Sequence, residues 1–256
     1  MRHKLAWIRA IAFDFDSVFY DSLKMPNWDR ELHRIKVEVA CELHPDIFTP
    51  ITASEIAQES RRTHFDSIVL LAQEVQQRGG DAQAFSKTYF TLLQSRAYEH
   101  FTKKYPQIFC DQPDLRDAFR QCSGLIKHGI ATNSCVENWA GPHLNTFGIL
   151  DHFVPEAILG LPHSNFIPKG LHPMLFKMVI DKMSANEAES LIVEDSCDNI
   201  EKAKEHYPKL TTAFIHHGRP IEGRLPSHVD YQFTDVPEML RAIMTARYLD
   251  RHLKVM

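Results

Sequence analysis

The chain has 256 residues, 44% of them hydrophobic, enough to bury one large domain or a core with a smaller insert. A formal net charge of −4, with no long basic run, excludes tracking of a phosphate backbone, so no nucleic-acid polymer is expected as partner. The five cysteines (Cys41, Cys110, Cys122, Cys135, Cys197) are scattered and show no Cys-x-x-Cys spacing, which excludes a disulfide framework or a cysteine zinc site and points to a reducing, cytoplasmic setting.

Residues 8–15 predict a short buried strand that ends at Asp14 and Asp16 in "IAFDFDSVFYDS". These carboxylates interrupt the apolar run nearest the charged N-terminus, so neither a signal peptide nor a membrane span is expected. Between residues 23 and 105 no strand pattern appears. Asn27 reads as the N-cap of a helix that carries Leu32, Ile35, Val39 and Leu43 and stops at Pro45. Thr52-Ala53-Ser54-Glu55 has the form of a capping box and opens a run through Ile68, Leu71, Ala72 and Val75, broken at Gly79-Gly80. A third helix starts at Asp81, carries Phe85, Tyr89, Leu92 and Leu93, and is closed by Pro106.

Strands and helices then alternate. Strands are expected at 125–132, 155–159, 190–193, 210–215 and 231–233, and helices at 113–122, 137–147, 171–183, 199–206 and 236–248. The pattern predicts an α/β protein: a Rossmann-like, doubly wound parallel sheet with a small all-helical domain inserted after the first strand. The core is expected over 1–20 and 106–256 and the insert over 21–105. In such sheets the ligand site lies beyond the carboxyl ends of the strands.

Those ends carry chemistry. The first offers Asp14 and Asp16, "GIATNS" offers Thr132 and Asn133, "FIPKG" places Lys169 ahead of a helix, and "LIVEDS" ends in Glu194 and Asp195. Each alone has an ordinary reading as a strand-end carboxylate, a loop lysine or a helix cap; Ser196 and Asp198 suit capping of the following helix. The ordered set suits displacement at phosphorus. A carboxylate attacking a phosphate dianion meets like-charge repulsion, which Mg²⁺ held by carboxylates relieves. Asp14 suits the nucleophile, Asp16 the acid and base, Lys169 a fixed positive charge, and Thr132 and Asn133 contacts to phosphoryl oxygens. Asp14, Glu194 and Asp195 suit the metal, with Asp16 assisting through its main-chain carbonyl. The pair His216-His217, ahead of Gly218, reads as loop surface.

The motifs "AFDFDSVFY", "IATNS", "FIPKG" and "LIVEDSCDNIEKAK" resemble, in order, those of the haloacid dehalogenase superfamily, and the helical insert falls where that family carries its helical cap. The resemblance implies a small phosphorylated substrate, an aspartyl-phosphate intermediate and Mg²⁺. In the family's true dehalogenases the second aspartate is absent, since a departing halide needs no proton, so Asp16 implies a phosphoryl-transfer member. Tyr20 and Asn199 resemble the pyrimidine 5'-nucleotidase-like branch, which implies nucleoside 5'-monophosphates. Ser17 stands where Gly, Asn or Asp is commoner, and Gly170 where proline is usual. A sugar phosphomutase, a phosphoglycolate-type phosphatase and a catalytically weak binding protein on the same fold are the competing readings. In the insert, Trp28, Phe65, Tyr89 and Phe90 read as helical core before base-stacking groups, and Arg61-Arg62 with His64 as a solvated face before an anion site. Oligomeric state leaves no mark in the sequence.

Overall fold

Six strands form one parallel sheet among the residues described by the computed structural model, 4–63, 67–220 and 226–253, with backbone alone at 60–63 and 253. They are β1 (Ala10–Phe13), β2 (Lys127–Ala131), β3 (Ile158–Leu159), β4 (Ser190–Glu194), β5 (Thr211–Ile215) and β6 (Tyr231–Phe233). Their spatial order is β3-β2-β1-β4-β5-β6, so the order reverses between β1 and β4. Both central strands are buried at every residue, as strands covered on two faces must be.

After β1 the chain leaves the sheet for α1 (Trp28–Leu43), α2 (Pro50–Thr63), α3 (Ser67–Gln77) and α4 (Ala82–Lys104). They pack in a ring, α1 on α2, α2 on α3, α3 on α4 and α4 on α1. The single helical run expected from Thr52 to Val75 is thus two helices. Its capping box lies three residues early: Thr49 Oγ1 accepts from the Thr52 N–H at 3.2 Å, and Thr52 Oγ1 from the Thr49 N–H at 3.0 Å. Pro50 then opens the helix, where a missing N–H costs no hydrogen bond. Asn27 precedes α1 as expected but in a left-handed conformation, without a side-chain cap. Asp81 does cap α4, accepting from the Gln83 and Ala84 N–H groups. The two ends of the insert meet where the Tyr105 hydroxyl donates to the Pro26 carbonyl at 2.6 Å.

The sheet is then covered by α5 (Pro113–Cys122), α6 (Gly141–Thr146), α7 (Met174–Lys182), α8 (Cys197–His206) and α9 (Val236–Leu253). Side chains alternate along β1: Ile11 and Phe13 join Phe119 of α5 and Met239 of α9, whereas Ala10 and Ala12 join Leu175 and Val179 of α7. The α7 face is built of small residues because the helix sits close; a Cβ at Gly129 would stand 2.5 Å from the Val179 side chain. The elements are shorter than expected where proline or a turn intervenes. Pro155 starts a 3₁₀ turn, so β3 begins at Ile158, and α7 begins behind Pro173. The helix expected over 137–147 is a π-helical turn, Val136–Ala140, followed by α6. All five cysteines are free, and no helix among the described residues is long and apolar enough to cross a membrane.

Candidate active site

Phe13 of β1 stands opposite Val193 of β4, and the Asp14 N–H continues the ladder to the Val193 carbonyl at 2.8 Å. Residues following the two strands are therefore neighbours at the reversal of strand order, where a crevice forms. Asp14, Glu194 and Asp195 each place an oxygen within 4.8 Å of the others. Lys169, 1% exposed, reaches in from the loop ahead of α7, its Nζ 2.6 Å from both Asp14 Oδ1 and Glu194 Oε1. Asn199, on the first turn of α8, donates from Nδ2 to Glu194 Oε1 at 3.1 Å. Ser196 caps that helix as expected, while Asp198 points to solvent.

Three carboxylates share one ammonium, and the electrostatics show the deficit. Burial, then repulsion from Glu194, pushes Asp14 up to about 8 against the pull of Lys169. Burial and the charge of Asp14 push Asp195 up to about 7, with Arg219 among the groups opposing, and burial raises Glu194 as well. Burial alone would lower Lys169, but Asp14 and Glu194 outweigh it and hold the ammonium above its ordinary range. Glu194 is fully buried and its Oε2 has no hydrogen-bond partner. A buried carboxylate oxygen without a partner is costly unless a positive charge meets it. A cluster of hard oxygens with that lone pair unmet fits a hard divalent cation such as Mg²⁺.

The Asp16 carboxylate lies outside this cluster. Its Oδ1 accepts from the Tyr20 hydroxyl and from the Trp139 indole N–H, each at 2.7 Å. Its Oδ2 accepts from the Ser134 hydroxyl and, at 3.4 Å, from Thr132 Oγ1. As a metal residue Asp16 would act through its main-chain carbonyl, since its side chain is committed to these donors. Thr132 is buried and its hydroxyl accepts from the Ser134 N–H at 3.0 Å, so Thr132 faces Asp16. Asn133 Oδ1 accepts from the Lys169 backbone N–H at 3.1 Å, fixing the lysine loop to the end of β2.

Several contacts here have no local signal in the sequence. Trp139 sits in the π-helical turn after Cys135, and nothing around it marks its indole for Asp16. His217 is a correction: the pair His216-His217 is half-buried, and His217 Nε2 lies 2.7 Å from the Ser17 carbonyl. That bond holds a turn in which Ser17 has φ 57°, left-handed, a conformation that favours glycine or asparagine over serine. In the insert, Tyr89 and Phe90 are buried, and Trp28 packs on Phe101 at 3.9 Å and on Trp139 at 5.7 Å. Arg61, Arg62, His64 and Phe65 lie outside the described side chains.

The family model of haloacid dehalogenase-like hydrolases matches residues 8–206. The chain belongs to this family. No curated protein is significantly similar in sequence. Among solved structures, a 2-haloacid dehalogenase from Pseudomonas syringae matches with TM-score 0.57 at 17% identity, covering 93% of this chain and 98% of that one. A beta-phosphoglucomutase from Clostridium difficile matches with TM-score 0.55 at 14% identity, covering 96% and 99%. YfnB from Bacillus subtilis, solved bound to magnesium, matches with TM-score 0.53 at 14% identity, covering 92% and 98%. At these identities the likeness is one of fold. As a haloacid dehalogenase-like hydrolase the chain has the helical insert after β1 and carries its acidic cluster at the ends of β1 and β4.

Proposed function

We propose that the chain is an Mg²⁺-dependent phosphomonoester hydrolase acting on a small phosphorylated metabolite through an aspartyl-phosphate intermediate. The observation that carries this reading is the meeting of Asp14, Lys169, Glu194 and Asp195 at the reversal of strand order, with Asp16 held apart by neutral donors.

The contacts described for the Asp14 carboxylate fall on Oδ1, which accepts from Lys169 and, at 2.7 Å, from the Phe15 N–H. Oδ2 is the oxygen left to attack phosphorus. As the Asp14–phosphorus bond forms and the ester oxygen–phosphorus bond breaks, Asp16 gives its proton to the departing oxygen. Asp16 then takes a proton from the water that attacks the aspartyl phosphate, which releases inorganic phosphate and returns Asp14. Lys169 orients Asp14 and keeps a fixed positive charge beside the phosphoryl group, whose oxygens Thr132 and Asn133 are proposed to contact. Mg²⁺ held by Asp14, Glu194 and Asp195, with the Asp16 main-chain carbonyl, supplies the charge neutralisation that an anionic nucleophile needs beside a phosphate dianion.

Asp16 favours phosphate over halide chemistry, because an alkoxide leaving group needs a proton and a halide does not. Tyr20 touches Asp16 and Asn199 touches Glu194; these two marks of the pyrimidine 5'-nucleotidase-like branch make nucleoside 5'-monophosphates the first esters to try. Residues 21–105 serve as a cap over a core of 1–20 and 106–256, and a lid favours small substrates over polymers. The free cysteines support a cytoplasmic setting.

The test is turnover of an aryl phosphate that disappears on chelation and returns with Mg²⁺. Asp14→Asn is expected to lose turnover with an unchanged circular dichroism spectrum. Metal-dependent phosphatase activity in that variant would overturn the nucleophile, and halide release from a 2-haloacid without phosphate release would overturn the reaction class.

A further inference from the structure

A cavity of about 920 Å³ lies between α3, α4 and the loop 162–171. Its lining includes chain neighbours of the candidate active site: Pro168 precedes Lys169 and Cys135 follows Ser134. Ile167 and Leu171, which flank the lysine, both line it and are 38% and 41% exposed, among the few large apolar side chains the fold leaves open. Phe166 lines it from a left-handed conformation (φ 61°), directly after Asn165 in another (φ 53°). A bulky residue there is strained, and such strain persists where surrounding contacts over-determine it. Here the Phe166 N–H donates to the Leu161 carbonyl at 3.1 Å, and the Ser164 hydroxyl is 2.8 Å from the Ile167 carbonyl. The strained turn sets the Phe166 ring edge-on to Phe90 of α4, at 5.7 Å and 89°.

The polar part of the lining is neutral. Gln73, Gln76, Asn138 and Asn165 offer carboxamides, and the two charged side chains, Lys87 and Glu137, are exposed and opposite in sign. A second phosphate on the substrate would need uncancelled cations, most effectively forked guanidinium groups. The lining has none.

We propose that this cavity receives the alcohol part of the phosphoester and selects an uncharged, largely apolar body over a sugar that carries a second phosphate. The proposal rests on the hydrolase reading above and adds to it the chemistry of the leaving group. Pockets of this size that hold small ligands are mostly apolar with a few placed polar groups, as here.

A series of straight-chain alkyl phosphates from ethyl to octyl varies apolar area at nearly constant leaving-group acidity. Each methylene is expected to raise kcat/KM about threefold to fourfold, chiefly through KM, until the cavity is filled. Fructose 1,6-bisphosphate is expected to be a poorer substrate than hexyl phosphate. Ile167→Asp combined with Leu171→Asp is expected to flatten the series, whereas Leu249→Asp, an exposed leucine of α9 that does not line the cavity, is expected to leave its slope intact. Binding of 1-naphthol to the metal-free chain, read from its own fluorescence, is expected in the wild type and lost in the double variant.

A flat series in an active wild type, or preference for the bisphosphate, overturns the proposal and leaves the hydrolase standing. No ester turnover with Mg²⁺, but naphthol binding lost in the double variant, sinks the hydrolase reading and keeps the cavity as an apolar-ligand site. Absence of naphthol binding in an inactive protein overturns both.

Discussion

Asp14 and Asp16 stand two residues apart yet belong to opposite halves of the site. Asp14 joins a charged half, with Glu194, Asp195 and Lys169, where three carboxylates share one ammonium. Asp16 belongs to a neutral half in which Tyr20, Trp139, Ser134 and Thr132 all direct donors at one carboxylate. In an extended strand the two side chains would share a face. They diverge because β1 ends at Phe13 and Asp16 already lies in the turn that continues through the left-handed Ser17. One short loop thereby places two carboxylates in different surroundings, one short of positive charge and the other held by dipoles, as the proposed proton transfer would need.

If the halves are separate, substitutions on each side should fail differently. Asp16→Asn is expected to lower kcat about 10²–10⁴-fold, the usual contribution of a positioned acid and base. Its Mg²⁺ affinity by calorimetry should stay at the wild-type value; a parallel loss of metal affinity would merge the halves into one. Glu194→Gln should do the reverse, weakening Mg²⁺ by about 10–100-fold, with turnover largely recovered at saturating metal. A defect that saturating metal does not relieve would move Glu194 from holding the cation to shaping the reaction.

Trp139→Phe probes the neutral half with a smaller step. A hydrogen bond to a charged group contributes about 1.5–3 kcal/mol, and three other donors remain, so the lower end, about a tenfold fall in kcat, is expected. KM for the same ester should stay within about twofold on that reasoning. A change in KM alone, or in unfolding midpoint alone, would reduce Trp139 to packing between Trp28 of the insert and Phe109 of the core.

The charged half was legible in the sequence, and so were Asp16, Tyr20 and Thr132 of the neutral half, whereas Trp139 was not, for a physical reason. Buried strands that end in carboxylates are local features, visible in "IAFDFD" and "LIVEDS" without knowledge of what pairs with what. The alternation of strands and helices and the position of the insert were legible on the same ground. Trp139 meets Asp16 across 123 residues and His217 meets Ser17 across 200, and no periodicity marks either encounter. The same holds within elements. Helical spacing located the insert, but its division into α2 and α3 and the early capping box depend on how four helices close a ring. Pro155 and Pro173 trimmed β3 and α7 through ladders and turns that propensity does not see.

Behind Trp139 lies a contrast within the neutral half itself. His143 is fully buried among Phe109, Tyr98, Trp139, Phe15 and Phe147, with ring centroids 4.1–6.1 Å away, and neither ring nitrogen has a hydrogen-bond partner. Tyr98 is the titratable group among those rings. Burial pushes the imidazole down to about 3, and His128, buried likewise, to about 4. The unfolded chain protonates these histidines near 6.5 and the folded chain does not, so stability falls as pH drops below that value. Between pH 7 and 5.5 each histidine is expected to cost about 1 kcal/mol. Asp14 and Asp195, raised to about 8 and 7, act with opposite sign in the metal-free chain, because the folded state keeps protons there that the unfolded state has lost. That contribution cancels when variant and wild type are compared in the same buffer. His143→Phe removes two buried polar atoms without partners while keeping a flat ring, and is expected to raise stability at pH 7 by about 1 kcal/mol. It should also remove about 1 kcal/mol of the histidine-linked loss between pH 7 and 5.5, read from urea midpoints. A variant less stable at pH 7 with its full acid dependence intact would mean that the imidazole is polar for a purpose, and that the aromatic bed beneath Asp16 is part of the site and not merely its support.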